Sequence, residues 1–297
     1  MAQLAAQPAG RVVKQGSPAA VEATIAAVIA ELGMDRPHIT ELSGGVANRS
    51  LRLCDARHDY VLRLAGEAAP GLGASRDSEL AMQGIAAAAG LAPEIRLANP
   101  PRGFIVLRYV HGRVPDLSGM RDLSFLERVG AWIARLHGLA SPPGLPVVDI
   151  GERAAGYLAV IQRREPRPLV ADIARELAAR RAALQAPPRR TACHHDLHHR
   201  NFLDTGDSLL VVDWEYAGPG DPAADLASCI GYHDLDSTQV GALLAGYGAD
   251  SVELRERLAS LGWIFDCLWF GWNAVAMLAG LEYDPELQER LAARLTG

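Results

Sequence analysis

Lysine is all but missing from this chain. Lys14 is the only one, and the other 28 basic residues are arginine. Chemistry that needs a lysine must use Lys14 or do without it. Cysteine is scarce too. Cys54, Cys193, Cys229 and Cys267 are widely spaced and make no CxxC pair. That spacing argues against a zinc or disulfide framework and suits reduced thiols in a cytoplasm. There is no basic block, and the net charge is −6, so a nucleic-acid partner is not suggested. Met1 to Lys14 has no continuous apolar stretch of the signal-peptide kind.

What is present points to an ordered, sizeable molecule. Hydrophobic residues make up 49% of the 297 and charged residues 22%, which argues against disorder. The length is about twice the ~150 residues of a typical domain, so it suits one large domain or two packed lobes. A chain of this size buries enough apolar surface to fold without a metal or disulfide.

The pattern changes character near Gly112. Residues 1–16 read as a loose leader, and Ser17-Pro18 as the N-cap and first position of a helix that runs to Gly33. His38–Leu42, Arg49–Leu53 and Tyr60–Leu64 read as consecutive antiparallel strands. Residues 75–89 look helical, and 94–97 and 103–110 strand-like. Beyond Gly112 the periodicity is mainly helical: one helix over Leu123–His137, another over Leu169–Leu184, and helices from Asp221 to Leu295. Leu209–Val212 is a short apolar strand. The expected fold class is therefore α+β. A sheet lobe covers residues 1–110 and a helical lobe residues 111–297.

Residues 261–281 form a long apolar stretch that invites comparison with a membrane span. Asp266 and Asn273 lie near its middle, and a central Asp costs about 2.5–3.5 kcal/mol on insertion scales. No Lys or Arg cluster flanks it. The stretch reads as a buried helix, and membrane insertion is not expected.

The chemistry concentrates in two segments. The first, His194-His195-Asp196-Leu197-His198-His199-Arg200-Asn201, has the form H-x-D-x4-N. The second is an apolar strand ending in Asp213-Trp214-Glu215. A carboxylate to take or orient a hydroxyl proton, plus an amide oxygen and a second carboxylate for Mg²⁺, is the set that phosphoryl transfer needs. Histidine pairs at HxxxH spacing, His194–His198 and His195–His199, offer zinc as the other reading, but HExxH is absent.

These segments resemble the aminoglycoside phosphotransferase and choline kinase superfamily, from about residue 36 onward. The resemblance is most specific between residues 193 and 228. It implies a bilobal protein-kinase-like fold, ATP and Mg²⁺ as cofactors, and a small-molecule alcohol as acceptor. Asp196 would then be the catalytic base, with His194 bracing its loop. Asn201 and Asp213 would hold Mg²⁺, and Glu215 the metal or a substrate amine. Asp225 would hold the catalytic loop by hydrogen bonds. Gly44 and Gly45, with Asn48, would approach the nucleotide phosphates. Arg63 stands where kinases in general place a strand lysine, and Glu79 would orient it. Val110 would lie at the adenine hinge.

Arg63 after a Ser-Gly-Gly turn is similar to the choline kinase branch. So is the Trp269-x-x-Trp272 pair, which by resemblance would line a pocket for a cation through cation–π attraction. A packed core helix is the plain alternative for that pair. Asp266 would add negative charge to the pocket or satisfy a buried arginine. The resemblance implies a choline or ethanolamine kinase, with thiamine and aminoglycosides as alternative acceptors. A pseudokinase would be expected to lack Asp196, Asn201 or Asp213. A homodimer is compatible with this reading.

Overall fold

Period-two patterning organises the first hundred residues. The computed structural model describes residues 18–42, 48–65, 76–187, 189–281 and 283–297, with the backbone alone at Pro18, Asn48 and Ala65. Helix α1 (Pro18–Glu31) precedes strands β1 (His38–Leu42), β2 (Asn48–Cys54) and β3 (Asp59–Ala65). Helix α2 (Arg76–Ala88) leads to β4 (Ile95–Asn99) and β5 (Phe104–Arg108). The five strands form one antiparallel sheet in the order β1-β2-β3-β5-β4. Leu51, Leu53, Leu62, Leu64, Phe104 and Val106 close with Val28 of α1 and Met34 into one apolar cluster. Side chains alternate across a strand, so Arg63, between Leu62 and Leu64, points to the other face. There it is buried as well, against α2.

Helices dominate the remainder: α3 (Leu123–His137), α4 (Ile150–Arg164) and α5 (Pro168–Ala183) come first. Four three-residue strands follow: β6 (Thr191–Cys193), β7 (Phe202–Asp204), β8 (Leu209–Val211) and β9 (Gly218–Gly220). Helices α6 (Pro222–His233), α7 (Ser237–Tyr247), α8 (Val252–Leu278) and α9 (Pro285–Thr296) complete the chain. The short strands pair as β6 with β9 and β7 with β8. Residues 194–201 therefore run between β6 and β7, and residues 212–217 between β8 and β9. Two small ladders hold the two chemically distinctive segments beside each other.

The second apolar cluster fills this helical part, around Trp132, Tyr157, Phe202, Trp214 and Phe265. Met82 and Ala86 of α2 belong to it rather than to the sheet cluster. Leu91 stitches the halves together: its carbonyl accepts from the Trp132 indole at 3.2 Å and from the Val211 amide at 3.0 Å. A backbone pair between Arg113 and Asp204, at 2.8 and 2.9 Å, ties the segment after β5 to β7. Helices α3 and α7 meet at Gly130 and Gly246, where a side chain on either would overlap the other helix's backbone.

Most expected elements occur within one or two residues of their expected ends. The Ser17 cap, the leader and the turn at residues 43–47 lie outside the described residues. Helix α4 is not among the expected elements. Its opening signal is Asp149, whose carboxylate accepts from the Gly151 and Glu152 amides at 2.8 and 2.9 Å. The apolar stretch at 261–281 belongs to the longer α8. This helix is long and apolar enough to cross a membrane, yet 61% of its most apolar window is buried inside the protein. Its buried face packs against α4, α6 and α9.

Candidate active site

The catalytic-loop candidate is shaped by one buried carboxylate. Asp225, in the first turn of α6, is fully buried and accepts the His194 and His195 amides at 2.8 and 2.6 Å. His137 Nε2 lies 3.2 Å from the same carboxylate, and its Nδ1 lies 3.0 Å from the Tyr247 hydroxyl. Burial would raise the Asp225 pKa, but His137, His195 and the His194 amide outweigh it and bring it to about 2. The loop is thus clamped through its backbone. It turns sharply at His195, which has a left-handed φ of 64°. His194 is buried edge-on against Trp214, with Nε2 3.1 Å from the Val212 carbonyl. Burial lowers its pKa below the ordinary histidine value.

Asp196 is held at both carboxylate oxygens. Asn201 Nδ2 donates to its Oδ2 at 3.1 Å and to its backbone carbonyl at 2.8 Å. This turns the Asn201 amide oxygen away from Asp196. Tyr232 donates its hydroxyl to Asp196 Oδ1 at 2.7 Å. His198 Nε2 stands 3.6 Å from Oδ2. The Val212 amide donates to the Asn201 carbonyl at 2.9 Å, so the end of this loop is fixed to the next segment.

That next segment alternates. Trp214 is fully buried, with its indole donating to the Val211 carbonyl at 3.0 Å. Asp213, at a φ of 68°, and Glu215 both reach Arg63. The Arg63 guanidinium bridges three carboxylates. It donates to Glu79 Oε1 at 2.7 Å and to Asp213 Oδ1, and lies 3.9 Å from Glu215 Oε2. Burial works against its charge, but Asp213, Glu79 and Glu215 prevail and hold its pKa above the ordinary value. Glu79 is 1% exposed, so it is no ordinary helix-surface charge. Arg76, one turn before it, is its second cationic partner.

The aromatic residues of α8 reach the same region through α6. Tyr232 packs edge-to-face on Phe265 and on Trp269, each at 4.8 Å between ring centres. Trp272 donates its indole N–H to the Tyr216 hydroxyl at 3.2 Å. Asp266 lies 3.5 Å from Arg294 of α9, an exposed arginine rather than a buried one.

The structure therefore brings Asp196, His194 and Asn201 into one loop, and Arg63, Glu79, Asp213 and Glu215 into one ion cluster. Trp269 and Trp272 are partly buried against the helical core, and they touch Tyr232 and the Tyr216 hydroxyl respectively. Val110, half-buried, follows β5 by two residues. Gly44 and Gly45 lie outside the described residues. So does the side chain of Asn48, whose backbone opens β2 opposite Ala65.

Sequence reading missed Tyr232, Arg76 and His137. Tyr232 follows Asp225 by seven residues, two helical turns, which is the signal that it shares that face. Neither HxxxH pair enters a metal-type cluster among the described residues. The one such cluster there, His137, Cys193 and Asp225, coincides with the hydrogen-bonded loop clamp. All four cysteines are free thiols.

Residues 38–261 match the model of the phosphotransferase enzyme family. Thiamine kinase of Shigella boydii serotype 4 is 33% identical over 84 residues, which make up 27% of this chain and 24% of that one. The match thus spans about a quarter of that relative. A choline/ethanolamine kinase family protein of Mesorhizobium loti has a solved structure at 27% identity, with a TM-score of 0.77 over 93% of both chains. Choline kinase LicA of Streptococcus pneumoniae shares the fold at 21% identity, with a TM-score of 0.77 over 93% of this chain and 97% of that one. With its bilobal kinase-like α+β fold, the chain belongs to the phosphotransferase enzyme family.

Proposed function

We propose that this chain is an ATP-dependent small-molecule kinase. It passes the γ-phosphoryl of MgATP to a hydroxyl of a cationic acceptor, with choline or ethanolamine as the leading reading. Residues 1–110 form the nucleotide lobe, and residues 111–297 the catalytic and acceptor lobe. The observation that carries the reading is the joining of three parts: the Asp196–Asn201 pair, the Arg63–Asp213–Glu215 cluster, and an aromatic wall beside Asp196.

The donor set fits Mg²⁺. Asp213, Glu215 and the Asn201 amide oxygen are hard oxygen ligands, and a cation, Arg63, already lies against both carboxylates. Mg²⁺ held there would neutralise charge on the transferring phosphoryl group. Arg63, oriented by Glu79, and the Gly44-Gly45 segment with Asn48 bind phosphates, because guanidinium and backbone N–H groups both match phosphate oxygens. The segment at Val110 meets the adenine. Asp196 takes the acceptor proton as the acceptor oxygen bonds to the γ-phosphorus. The bond from that phosphorus to the β,γ-bridging oxygen breaks, and ADP leaves. His194 keeps the loop in place and does not react.

A cationic acceptor is supported by the aromatic cluster that adjoins the base: Tyr232 touches Asp196, Trp269 packs on Tyr232 and Trp272 bonds to Tyr216, and a cation is attracted to aromatic faces. It is supported too by likeness to the Mesorhizobium loti protein. Thiamine is the second reading, favoured by the 33% identity to a thiamine kinase and by its own positive charge. An aminoglycoside ranks third, because drug-modifying relatives usually keep the strand lysine that Arg63 replaces. A pseudokinase is disfavoured by the presence of Asp196, Asn201 and Asp213. The site requires no nucleic acid and no membrane insertion, a homodimer is compatible with it, and a cytoplasmic location matches free thiols and ATP use.

The test is ATP-dependent product formation read by mass spectrometry. The panel holds choline, ethanolamine, thiamine, homoserine and kanamycin, with Asp196→Asn as control. One phosphate added to choline, ethanolamine or thiamine, and lost in the control, is the expected result. Undiminished turnover in Asp196→Asn would remove the base assignment.

A further inference from the structure

Tyr232 sits where a substrate hydroxyl should be. Its phenol donates to Asp196 Oδ1 at 2.7 Å, while Asn201 already occupies Oδ2. The base therefore already carries one hydroxyl donor from the protein itself. Burial among apolar rings, together with the Asp196 charge, holds the Tyr232 pKa well above its ordinary value. The phenol remains a donor at every working pH.

The local sequence is built for this contact. Asp225 and Tyr232 lie seven residues apart on α6, about 10 Å along the axis. One helix grips the catalytic loop twice, at its backbone through Asp225 and at its base through Tyr232. Gly231 lets Phe265 lie flat against the helix: a Cβ there would come within 2.7 Å of the Phe265 ring. Phe265 and Trp269 then hold the Tyr232 ring from the side, and His198 packs on it at 5.5 Å.

We infer that Tyr232 is an acceptor surrogate, a positioning residue that keeps the base occupied until the acceptor's hydroxyl displaces its own. This rests on Asp196 being the base, and it deepens that reading by naming what guards the site. The consequence is protection of ATP. Hydrolysis would require water to bond to the γ-phosphorus, the β,γ-bridging P–O bond to break, and the water proton to pass to Asp196. The phenol and the Asn201 amide each donate to one oxygen of Asp196, and two donors on a carboxylate lower its basicity towards a water proton. An acceptor alcohol, anchored by its other contacts, has the binding energy to replace the phenol.

The test compares Tyr232→Phe with the unaltered protein. ADP release from MgATP without acceptor, and phosphorylation of choline, ethanolamine and thiamine, are followed in parallel. Tyr232→Phe is expected to raise acceptor-independent ADP release by about tenfold, on the order of one hydrogen bond to a charged group. It is also expected to lower the KM of the acceptor more than it changes kcat. Tyr232→Leu, which also lacks the hydroxyl, should release ADP in the same way, so the result does not depend on one variant folding well. ADP release at or below the unaltered level in both variants would overturn the inference. So would a lower kcat at unchanged KM, the mark of a residue that merely orients Asp196. Adding Asp196→Asn to Tyr232→Phe should abolish the extra release. Release that persists in the double variant would instead remove Asp196 as the base.

Discussion

Replacing Arg63 by methionine tests the ion cluster most directly. Methionine keeps much of the unbranched stem and removes the charge. It would leave Glu79, Asp213 and Glu215 around an apolar side chain, with Glu79 and Glu215 buried. Breaking one buried ion pair by removing a partner costs about 3–5 kcal/mol. Arg76 still meets Glu79, which places the cost at the lower end, about 3 kcal/mol. For a chain of this length that is a fall of roughly 6 °C in Tm, at about 2 °C per kcal/mol. Urea denaturation at pH 7, followed by circular dichroism, measures it. Added Mg²⁺ should return part of the loss, since it would neutralise Asp213 and Glu215 in place of the guanidinium. Arg63→Lys should fall between the two proteins, because one ammonium cannot fork between Glu79 and Asp213. A methionine variant within about 0.5 kcal/mol of the unaltered protein, the range of ordinary surface substitutions, would refute the reasoning.

Three further outcomes follow from the same structure. Gly246→Ala should destabilise by about 3 kcal/mol, because its Cβ would overlap the Glu127 carbonyl oxygen, which is backbone and cannot swing away; an unchanged urea midpoint would contradict the close contact of α3 and α7. Burial brings His195 and His233 to pKa values of about 4, below the ordinary 6.5, so the unfolded chain takes up protons first. Stability should be intact above pH 6.5 and fall towards pH 4, by about 2–3 kcal/mol per histidine at pH 4.5; a urea midpoint that stayed level between pH 7 and 4.5 would count against this. Trp269→Ala should raise the KM for a cationic acceptor by about tenfold and leave that for ATP unchanged, in line with the loss of one desolvated cation–π contact; equal shifts in both constants would point to a general loss of structure.

Much of the site was legible because its chemistry is local in sequence. Asp196 and Asn201 lie five residues apart in one loop, and Asp213 and Glu215 flank Trp214, so spacing alone groups them. Arg63 stood out by the near absence of lysine. The sheet was legible because alternating apolar residues mark its strands. Strands β6 and β9 were not, since Gly218-Pro219-Gly220 has no intrinsic preference for a strand and pairs only because Thr191–Cys193 runs beside it. Helix α4 escaped although Ile150, Ala154, Tyr157, Leu158 and Ile161 keep helical spacing, because its start depends on a single aspartate cap.

The sequence by itself determined the family, the α+β order of elements and the candidate groups for the chemistry, because residue type and short-range spacing carry that information. The tertiary structure decided which groups meet. It placed Glu79 in a buried ion cluster, since only the packing of α2 on the sheet brings it to Arg63. It turned Asp266 towards Arg294, because α9 returns along α8. It set the hydroxyl of Tyr232 on Asp196, a contact between residues 36 apart in sequence. Such contacts depend on how helices and sheet pack, and nothing in the spacing of these residues specifies that packing.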